Sequence, residues 1–202
     1  MRTGIFQLVT GTAVAIALSA SPASAQKKYD TGATDTEIKI GQTVPFSGPA
    51  SAYAGIGKTQ AAYMNMINEK GGINGRKINL IQYDDAYSPP KAVEQVRKLV
   101  ESDEVLTTFQ IIGTPPNAAV QKYLNEKKVP QLLASTGATR FTDPKNFPWT
   151  IAFNPDYQSE AHIYAKFILD NHPNCRQRTF GYPLHAPSFV STARRRSPWG
   201  KV

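Results

Sequence analysis

The sequence predicts an α/β protein with an open, mostly parallel, doubly wound sheet and helices on both faces. Short apolar segments alternate with segments of about ten or more residues whose apolar positions recur at helical spacing. Clusters of glycine, proline and aspartate separate these segments and mark their ends. Strands that alternate with helices of this length pair in parallel, because each crossover helix returns the polypeptide to the same end of the sheet.

The first part of the alternation predicts two strands and the helix between them. A strand begins at Ile38, and a helix follows over Ala54–Glu69. The Gly71-Gly72 pair ends that helix, because glycine takes the left-handed conformation of a helix end at little cost. The second strand is expected over Ile78–Tyr83. The apolar face of the helix is predicted to carry Ile56, Tyr63 and Ile67.

The second part repeats the pattern. Ser88 is predicted to be the N-cap of a second helix, with Pro89 at its first position, because a serine oxygen can accept the N–H groups of the first turn. The alternation stops after Asn174, where a sixth strand would be due. The other predicted elements are strands over Leu106–Ile112, Val129–Leu133 and Trp149–Phe153, a helix after Pro116 with Val120, Tyr123 and Leu124 facing inward, and a helix over Tyr157–Asp170.

Residues 1–25 are predicted to be a cleavable export signal. A mostly apolar stretch, Ile5–Ala20, precedes Ala23-Ser24-Ala25, which is a small-x-small cleavage site. The apolar stretch falls short of the roughly 18 residues that span a bilayer. The mature protein is therefore expected to begin near Gln26 and to work in the periplasm, with no stable insertion in the membrane after cleavage.

Residues 26–174 are predicted to form the folded lobe, and residues 175–202 an irregular basic tail. The tail holds six of the 23 lysine and arginine residues and no aspartate or glutamate, so the net charge of +8 falls to +2 over residues 1–174. The charge of the whole protein is therefore no sign of a nucleic-acid partner. A tail rich in arginine, proline, alanine and serine is typical of a shifted reading frame in a GC-rich gene, so a frameshifted end is expected.

The motifs of common enzymes are absent or incomplete. The single cysteine excludes an intrachain disulfide and a thiolate zinc cage. Gly57-Lys58-Thr59 resembles the end of a phosphate-binding loop, but position 52 holds alanine where that loop needs its first glycine. His162, His172 and His185 show neither metal-ligand spacing nor an adjacent nucleophile. No enzymatic activity, cofactor or metal is expected.

Hydroxyl and glycine residues follow two of the predicted strands, at the edge where open α/β sheets bind ligands. Gly113-Thr114 and Ser135-Thr136-Gly137 bring hydroxyls and N–H groups there, and the first pair opens a helix, whose N-terminus favours an anion. Pro115 and Pro116 lack N–H groups, so free amide donors are expected to begin at Asn117. Simple capping and turn formation explain the same spacing equally well. The segments expected at this edge are 45–53, 84–88, 113–117 and 134–140.

The Asp84-Asp85 pair ends the second predicted strand and allows two interpretations. Paired carboxylates can act as acid and base in a catalytic site. Aspartates at strand ends also accept hydrogen bonds from backbone N–H groups in turns. The turn interpretation is favoured.

Five groups of residues form a recognisable series along the sequence. They are Phe46-Ser47-Gly48-Pro49 with Tyr53, the run from Asn68 to Gly75, Tyr83-Asp84-Asp85, Val129-Pro130 with Ser135 to Thr139, and Phe147-Pro148-Trp149. This series resembles the first lobe of the periplasmic leucine/isoleucine/valine-binding proteins, type I periplasmic binding proteins that serve ABC importers. The resemblance covers residues 1 to about 174.

The resemblance implies a non-enzymatic receptor with two lobes joined by a hinge and the ligand enclosed between them. It implies that Gly113 and Thr114 hold the ligand carboxylate, that Ser135 and Thr136 contact its amino and carboxylate groups, and that Tyr53 forms a wall of the side-chain pocket. The second lobe, with the acidic residue that pairs with the ligand ammonium, has no counterpart in this sequence. A truncated receptor with reduced or no binding competence is therefore expected.

The implied ligand is a branched-chain amino acid or a related carboxylate, or an aromatic acid or amide as in some members of the family. The implied protein partner is the permease of an ABC importer. The alternatives are a sensing or regulatory module of the same fold and an exported hydrolase. The predicted cleavage site argues against a sensing module, and the missing nucleophile–base pair argues against a hydrolase.

Overall fold

The computed structural model describes residues 29–171 of the 202-residue protein. The predicted export signal and the predicted basic tail lie outside the described residues. Within them, five strands form one sheet in the order β2-β1-β3-β4-β5, and every neighbouring pair is parallel. The predicted parallel α/β sheet is confirmed. The strands are β1 (Glu37–Val44), β2 (Lys77–Asp84), β3 (Thr107–Phe109), β4 (Gln131–Ala134) and β5 (Thr150–Ala152).

Four α-helices connect or follow these strands in the described part of the protein. The first, α1, has the predicted bounds, and the glycines after it have positive φ angles of 99° at Gly71 and 76° at Gly72. Short 3₁₀ turns lie at Ser51–Tyr53 and Thr139–Phe141. The helices are α1 (Ala54–Glu69), α2 (Pro89–Glu101), α3 (Thr114–Lys127) and α4 (Tyr157–Asn171).

Helices cover both faces of the sheet. Gly41 of β1 lies against the side chain of Leu99 in α2, whereas Val44 of the same strand lies against Gly57 in α1. Residues an odd number of positions apart point to opposite faces of a strand. The two helices therefore flank β1 from opposite sides, as a doubly wound sheet requires.

The apolar core lies on the α2–α3 side of the sheet. The side chains of these two helices meet there, and those at its centre are 0–1% exposed. Proline at the first positions of both helices suits the helical backbone without losing a needed donor. The core comprises Ala92, Val96, Ile111, Val120 and Leu124, with Val93, Val100, Tyr123 and Val129 packed around it.

The other face of the sheet carries a glutamine network beneath α1. Gln42, fully buried in β1, donates to the Gln60 Oε1 atom at 2.6 Å and to the Gln110 carbonyl at 3.0 Å. Gln82 donates to the Gln42 Oε1 atom at 2.7 Å and to the Gly57 carbonyl at 2.9 Å. Because each amide finds a partner, the network can be buried without a large desolvation cost.

This polar layer explains why the predicted apolar face of α1 is wrong at Ile56 and Tyr63, whereas Ile67 is half-buried. Ile56 is 38% exposed and Tyr63 is 55% exposed, whereas the buried residues of α1 are Ala54 and Gly57. Small residues face the sheet because Val44 approaches to within 2.8 Å of the place that a Cβ atom on Gly57 would take. Periodicity identifies a helix but does not reveal that its partner surface is polar.

The third strand is shorter than its predicted span of Leu106–Ile112. Gln110 has a φ angle of 46°, which breaks the regular extended ladder after Phe109. Pairing with the neighbouring segment resumes beyond this residue, where the Ser135 N–H donates to the Ile111 carbonyl at 3.0 Å. The kink therefore shortens the regular strand but keeps the segment in place.

The last described helix packs little against the rest of the lobe. None of the residues of α4 is buried, and Phe167 and Leu169 are 60% and 63% exposed. Phe153, which follows β5, is 58% exposed as well. Over residues 29–171 no helix is both long enough and apolar enough to cross a bilayer.

Candidate ligand-binding site

The two hydroxyl-bearing segments predicted at the sheet edge lie side by side. The Gly113 N–H donates to the Ser135 carbonyl at 3.1 Å, and Ile112 forms a parallel bridge with Ser135. These contacts extend the β3–β4 pairing past the ends of both strands. Because the strands are parallel, their carboxyl ends reach the same edge of the sheet and bring the segments together.

Thr114 and Thr136 form a direct pair at this edge. Their hydroxyl oxygens are 2.7 Å apart, and either hydroxyl can be the donor. Thr136 is fully buried, and its oxygen also accepts the Ala138 N–H at 3.1 Å. When Thr136 donates to Thr114, the hydroxyl proton of Thr114 is left to donate to a ligand.

The start of α3 is held by Asn117. Its side-chain amide donates to the Gly113 carbonyl at 2.8 Å and to the Ile111 carbonyl at 2.6 Å. Its backbone N–H donates to the Gly113 carbonyl at 3.2 Å, so the expectation that Asn117 begins the free donors is wrong. Pro115 and Pro116 carry no N–H group, which leaves the Thr114 amide as the donor of the first turn.

Two tyrosines that the sequence did not single out lie against the glycines of the site. The Tyr87 ring packs on Gly113, with its hydroxyl oxygen 2.7 Å from where a Cβ atom on that glycine would stand. The Tyr157 ring packs on Gly137 in the same way, with Cε1 at 2.6 Å from the corresponding position. Glycine at both positions leaves room for the rings. The pairing of an aromatic ring with a strand-end glycine is visible only in three dimensions.

Tyr53 lies close enough to Tyr87 to affect its pKa electrostatically. Tyr53 is 47% exposed at the end of a 3₁₀ turn. Burial raises the pKa of Tyr87, and the neighbouring phenols of Tyr53 and Tyr157, together with Asp85, raise it further. Tyr87 therefore keeps its proton at neutral pH and can donate a hydrogen bond.

The turn that carries Tyr87 is built by the two aspartates. The Asp84 carboxylate accepts the N–H groups of Ser47 at 3.1 Å and Ala86 at 2.9 Å, and it pairs with Lys91 at 3.1 Å. Burial acts to raise the pKa of Asp84, but these contacts and the Ser47 hydroxyl outweigh it and hold the pKa well below its usual range. The favoured interpretation of the pair as a turn agrees with these contacts.

Asp85 continues the turn into the left-handed backbone of the next residues. Its Oδ1 atom accepts the Tyr87 N–H at 2.8 Å, and its carbonyl accepts the Ser88 N–H at 2.8 Å. Ala86 and Tyr87 have φ angles of 49° and 60°, which are uncommon outside glycine. Ser88 is the N-cap residue of α2 as predicted, but its side chain makes no capping hydrogen bond, so the predicted mechanism is wrong.

The Asp85 carboxyl is buried with one unsatisfied oxygen. Asp85 is 0% exposed, and neither its Oδ2 atom nor the Thr43 hydroxyl makes a regular hydrogen bond within residues 29–171. Burial raises the pKa of Asp85, and the charge of Asp84 adds to the rise, while the Tyr87 N–H and Lys91 oppose it. Folding therefore favours the protonated form of the Asp85 carboxyl. Asp85 thus stabilises the folded state at low pH, and this contribution to stability is lost as the pH rises through its raised pKa.

Asp85→Asn is expected to raise the free energy of unfolding at pH 7 by about 1 kcal/mol. The amide keeps the acceptor for the Tyr87 N–H, adds a donor for Thr43 and buries no charge. Urea unfolding between about pH 4 and pH 7 checks this, because the gain over the unmodified protein should shrink toward acidic pH. The control, Asp84→Asn, should lose stability at pH 7, since folding lowers its pKa. Equal losses for both variants would contradict this account of Asp85.

The described residues contain no group of histidine, cysteine, aspartate and glutamate side chains that could hold a metal ion. The groups gathered at the ends of β3 and β4 are neutral: the hydroxyls of Thr114 and Thr136, backbone amides and the rings of Tyr87 and Tyr157. Neutral donors at a helix N-terminus can bind a carboxylate, because the helix dipole favours negative charge there.

Comparisons with known proteins agree with this architecture. A sequence model of the family described as periplasmic binding protein matches residues 37–180, more than half of the chain. The leucine-, isoleucine-, valine-, threonine-, and alanine-binding protein of Pseudomonas aeruginosa is 30% identical over 95 residues, which are 46% of this chain and 25% of that protein. The Leu/Ile/Val-binding protein of Escherichia coli is 39% identical over 67 residues, covering 32% of this chain and 18% of that protein.

A solved structure shows the same fold. The substrate-binding periplasmic protein from Ralstonia solanacearum superposes with a TM-score of 0.61 at 26% identity, over 66% of this chain and 38% of that one. The chain thus spans between 18% and 38% of the length of these relatives. The family match over residues 37–180 and the parallel sheet with its strand-end site lead to one conclusion. The chain belongs to the periplasmic binding protein family.

Proposed function

We propose that residues 29–171 form one wall of the ligand site of an extracytoplasmic solute-binding protein of an ABC importer. The ligand proposed is a branched-chain amino acid or a related small carboxylate. Support comes from the family, from relatives named for binding leucine, isoleucine and valine, and from the geometry of the strand ends. The permease of the importer is the proposed protein partner, and the periplasm the proposed location.

The observation that carries the proposal is the hydroxyl pair of Thr114 and Thr136, 2.7 Å apart at the start of α3. A carboxylate that approaches this pair can accept hydrogen bonds from the Thr114 hydroxyl and the Thr114 N–H. Rotation about the Cβ–Oγ1 bond lets the Thr114 hydroxyl turn to the ligand without moving the backbone, while the buried Thr136 hydroxyl donates to Thr114. Ser135, which directly precedes Thr136, is held in place through its backbone by Ile111 and Gly113.

A single wall binds weakly. A well-formed site buries roughly 70–90% of the surface of its ligand, which needs a facing wall. A micromolar receptor has about 8 kcal/mol of binding free energy, and a wall that supplies about half of it would bind at about millimolar concentrations. We propose that closure around the ligand, which the permease would read, needs residues outside the described wall.

Titration calorimetry of the protein with leucine, valine and an aromatic carboxylate should give dissociation constants of about 1 mM or weaker. Thr114→Val should weaken binding about tenfold, because it removes one hydrogen bond to an anion and keeps the side-chain shape. Thr59→Val is the matched control, since that hydroxyl donates to the Gly55 carbonyl within α1, at 2.9 Å. Micromolar affinity would show that the protein forms a complete site and would contradict the proposal of a single wall. Equal effects of both variants would contradict the role of Thr114.

A further inference from the structure

The residues that carry the Tyr87 ring are held in a costly arrangement. Asp85 is fully buried, and its Oδ2 atom has no hydrogen-bond partner within residues 29–171. The next two residues, Ala86 and Tyr87, have positive φ angles of 49° and 60°, which neither type of residue commonly adopts. A buried polar atom without a partner and a strained backbone both cost free energy. Because strain of this kind is concentrated at functional sites, the turn is a candidate for a functional role.

The arrangement fixes the direction in which the Tyr87 side chain leaves the turn. The Asp85 Oδ1 atom accepts the Tyr87 N–H at 2.8 Å, and the Asp85 carbonyl accepts the Ser88 N–H at 2.8 Å. The Asp85 N–H donates to the Val44 carbonyl at 3.2 Å, which anchors the turn to the end of β1. The position of the Tyr87 ring therefore depends on Asp85.

The Tyr87 ring passes this position on to the proposed ligand site. It packs on Gly113, with its Cζ atom 2.7 Å from where a Cβ atom on that glycine would stand. Gly113 is the N-cap residue of α3, and the next residue is Thr114, whose hydroxyl lies 2.7 Å from that of Thr136. A glycine backbone has wide conformational freedom, which the packed ring restricts. Displacement of the ring would therefore release Gly113 and, with it, Thr114.

We propose that Asp85 is a positioning residue for the ligand, which it does not touch: it sets the affinity by holding the Tyr87 ring against Gly113. The inference rests on the proposed function, because it assumes that the ligand carboxylate binds at Thr114. The acceptor at position 85 is what holds the turn, so an amide serves there and a methyl group does not. Residues that act on a site without touching its ligand change affinity by about two- to thirtyfold.

The first measurement tests the position of the ring without any ligand. It uses the full-length protein, labelled with ¹⁵N and ¹³C, and records the nuclear Overhauser effect between the Tyr87 ring and the Gly113 α-protons. This effect is expected in the unmodified protein and in Asp85→Asn, whose amide oxygen can still accept the Tyr87 N–H. It should be lost in Asp85→Ala, which has no acceptor. An effect that survives in Asp85→Ala overturns the proposal.

The second measurement is the dissociation constant for leucine, taken from the amide shifts of residues 113–114 and 135–137. Asp85→Ala should raise it about fivefold, and Asp85→Asn should restore the unmodified value. Asp143→Ala is the matched control, because that carboxylate accepts the Asn146 N–H at 3.2 Å in another turn. An equal rise in the control, or no rise in Asp85→Ala, overturns the role of Asp85.

A Tyr87→Ala background shows whether Asp85 acts through the ring. Tyr87→Ala alone should weaken leucine binding about fivefold. Adding Asp85→Ala should weaken it no further, because residues that act on a site through one another are not additive. A further loss of affinity in the double variant would mean that Asp85 acts by another route, and it would overturn the proposal.

The outcomes separate this inference from the proposed function. Leucine-induced shifts at residues 113–114 and 135–137 with no effect of Asp85→Ala overturn the inference and leave the proposed function standing. Absence of such shifts in the unmodified protein overturns the proposed function, and the inference with it. If Asp85→Ala does not fold, two measurements still decide. Fast hydrogen exchange of the Tyr87 amide in the unmodified protein overturns the hold by Asp85, and unchanged leucine affinity in Tyr87→Ala overturns the route through the ring.

Discussion

Gly113→Ala is expected to lower the free energy of unfolding by about 3 kcal/mol. Gly113 has a φ angle of 95° and a ψ angle of 152°, a region that is essentially reserved for glycine. An added Cβ atom would also run into the Tyr87 ring, whose Cζ atom is 2.7 Å from its position. Strain and crowding therefore act together, and denaturant unfolding followed by circular dichroism measures their sum.

Three further variants separate the two causes. In a Tyr87→Ala background, Gly113→Ala should cost less than in the unmodified protein, because the ring is gone and only the backbone strain remains. Gly75 has a φ angle of 78° with no atom near its Cβ position, so Gly75→Ala measures strain alone. Gly55→Ala lies in α1 with open space around it and should be neutral or stabilising by about 0.5–1 kcal/mol. An unchanged cost in the Tyr87→Ala background would refute the packing of the ring on Gly113.

Leu124→Ala is expected to destabilise the lobe by about 2–5 kcal/mol, because the residue is 0% exposed in the core and leaves a cavity. That loss is a large part of the stability of an ordinary domain. Chemical denaturation of the variant and the unmodified protein at equal concentration checks it. Leu169→Ala is the control, since Leu169 is 63% exposed on α4 and should change stability by less than about 0.5 kcal/mol. Similar losses at the two sites would mean that the core does not lie between α2 and α3.

The sequence was sufficient to predict the elements whose ends are set locally. The bounds of α1 are as predicted, because the Gly71-Gly72 pair ends it with positive φ angles. Val120 and Leu124 of α3 are buried as predicted, because their partner surface is apolar. The predicted apolar face of α1 was wrong at Ile56 and Tyr63, because the helix packs on glutamines that come from β1, from β2 and from the residue after β3.

The candidate site, like the fold, was predicted from the sequence only in part. Topology alone brings the residues after β3 and β4 to one edge, which is why Thr114 and Thr136 could be predicted to lie together, and they are 2.7 Å apart. Tyr87 was missed because its position depends on consecutive left-handed residues at 86 and 87, a conformation that alanine and tyrosine rarely adopt. Tyr157 was missed because its contact with Gly137 joins segments that no periodicity relates.

The most direct test of the account is to find where a small carboxylate binds. The ¹⁵N-labelled protein is titrated with leucine into the millimolar range, and the amide shifts are mapped onto the sheet. The largest shifts are expected on Gly113, Thr114, Ser135 and Thr136, at the carboxyl ends of β3 and β4. Shifts confined to the opposite edge of the sheet or to α4, or no shifts at all, would contradict it.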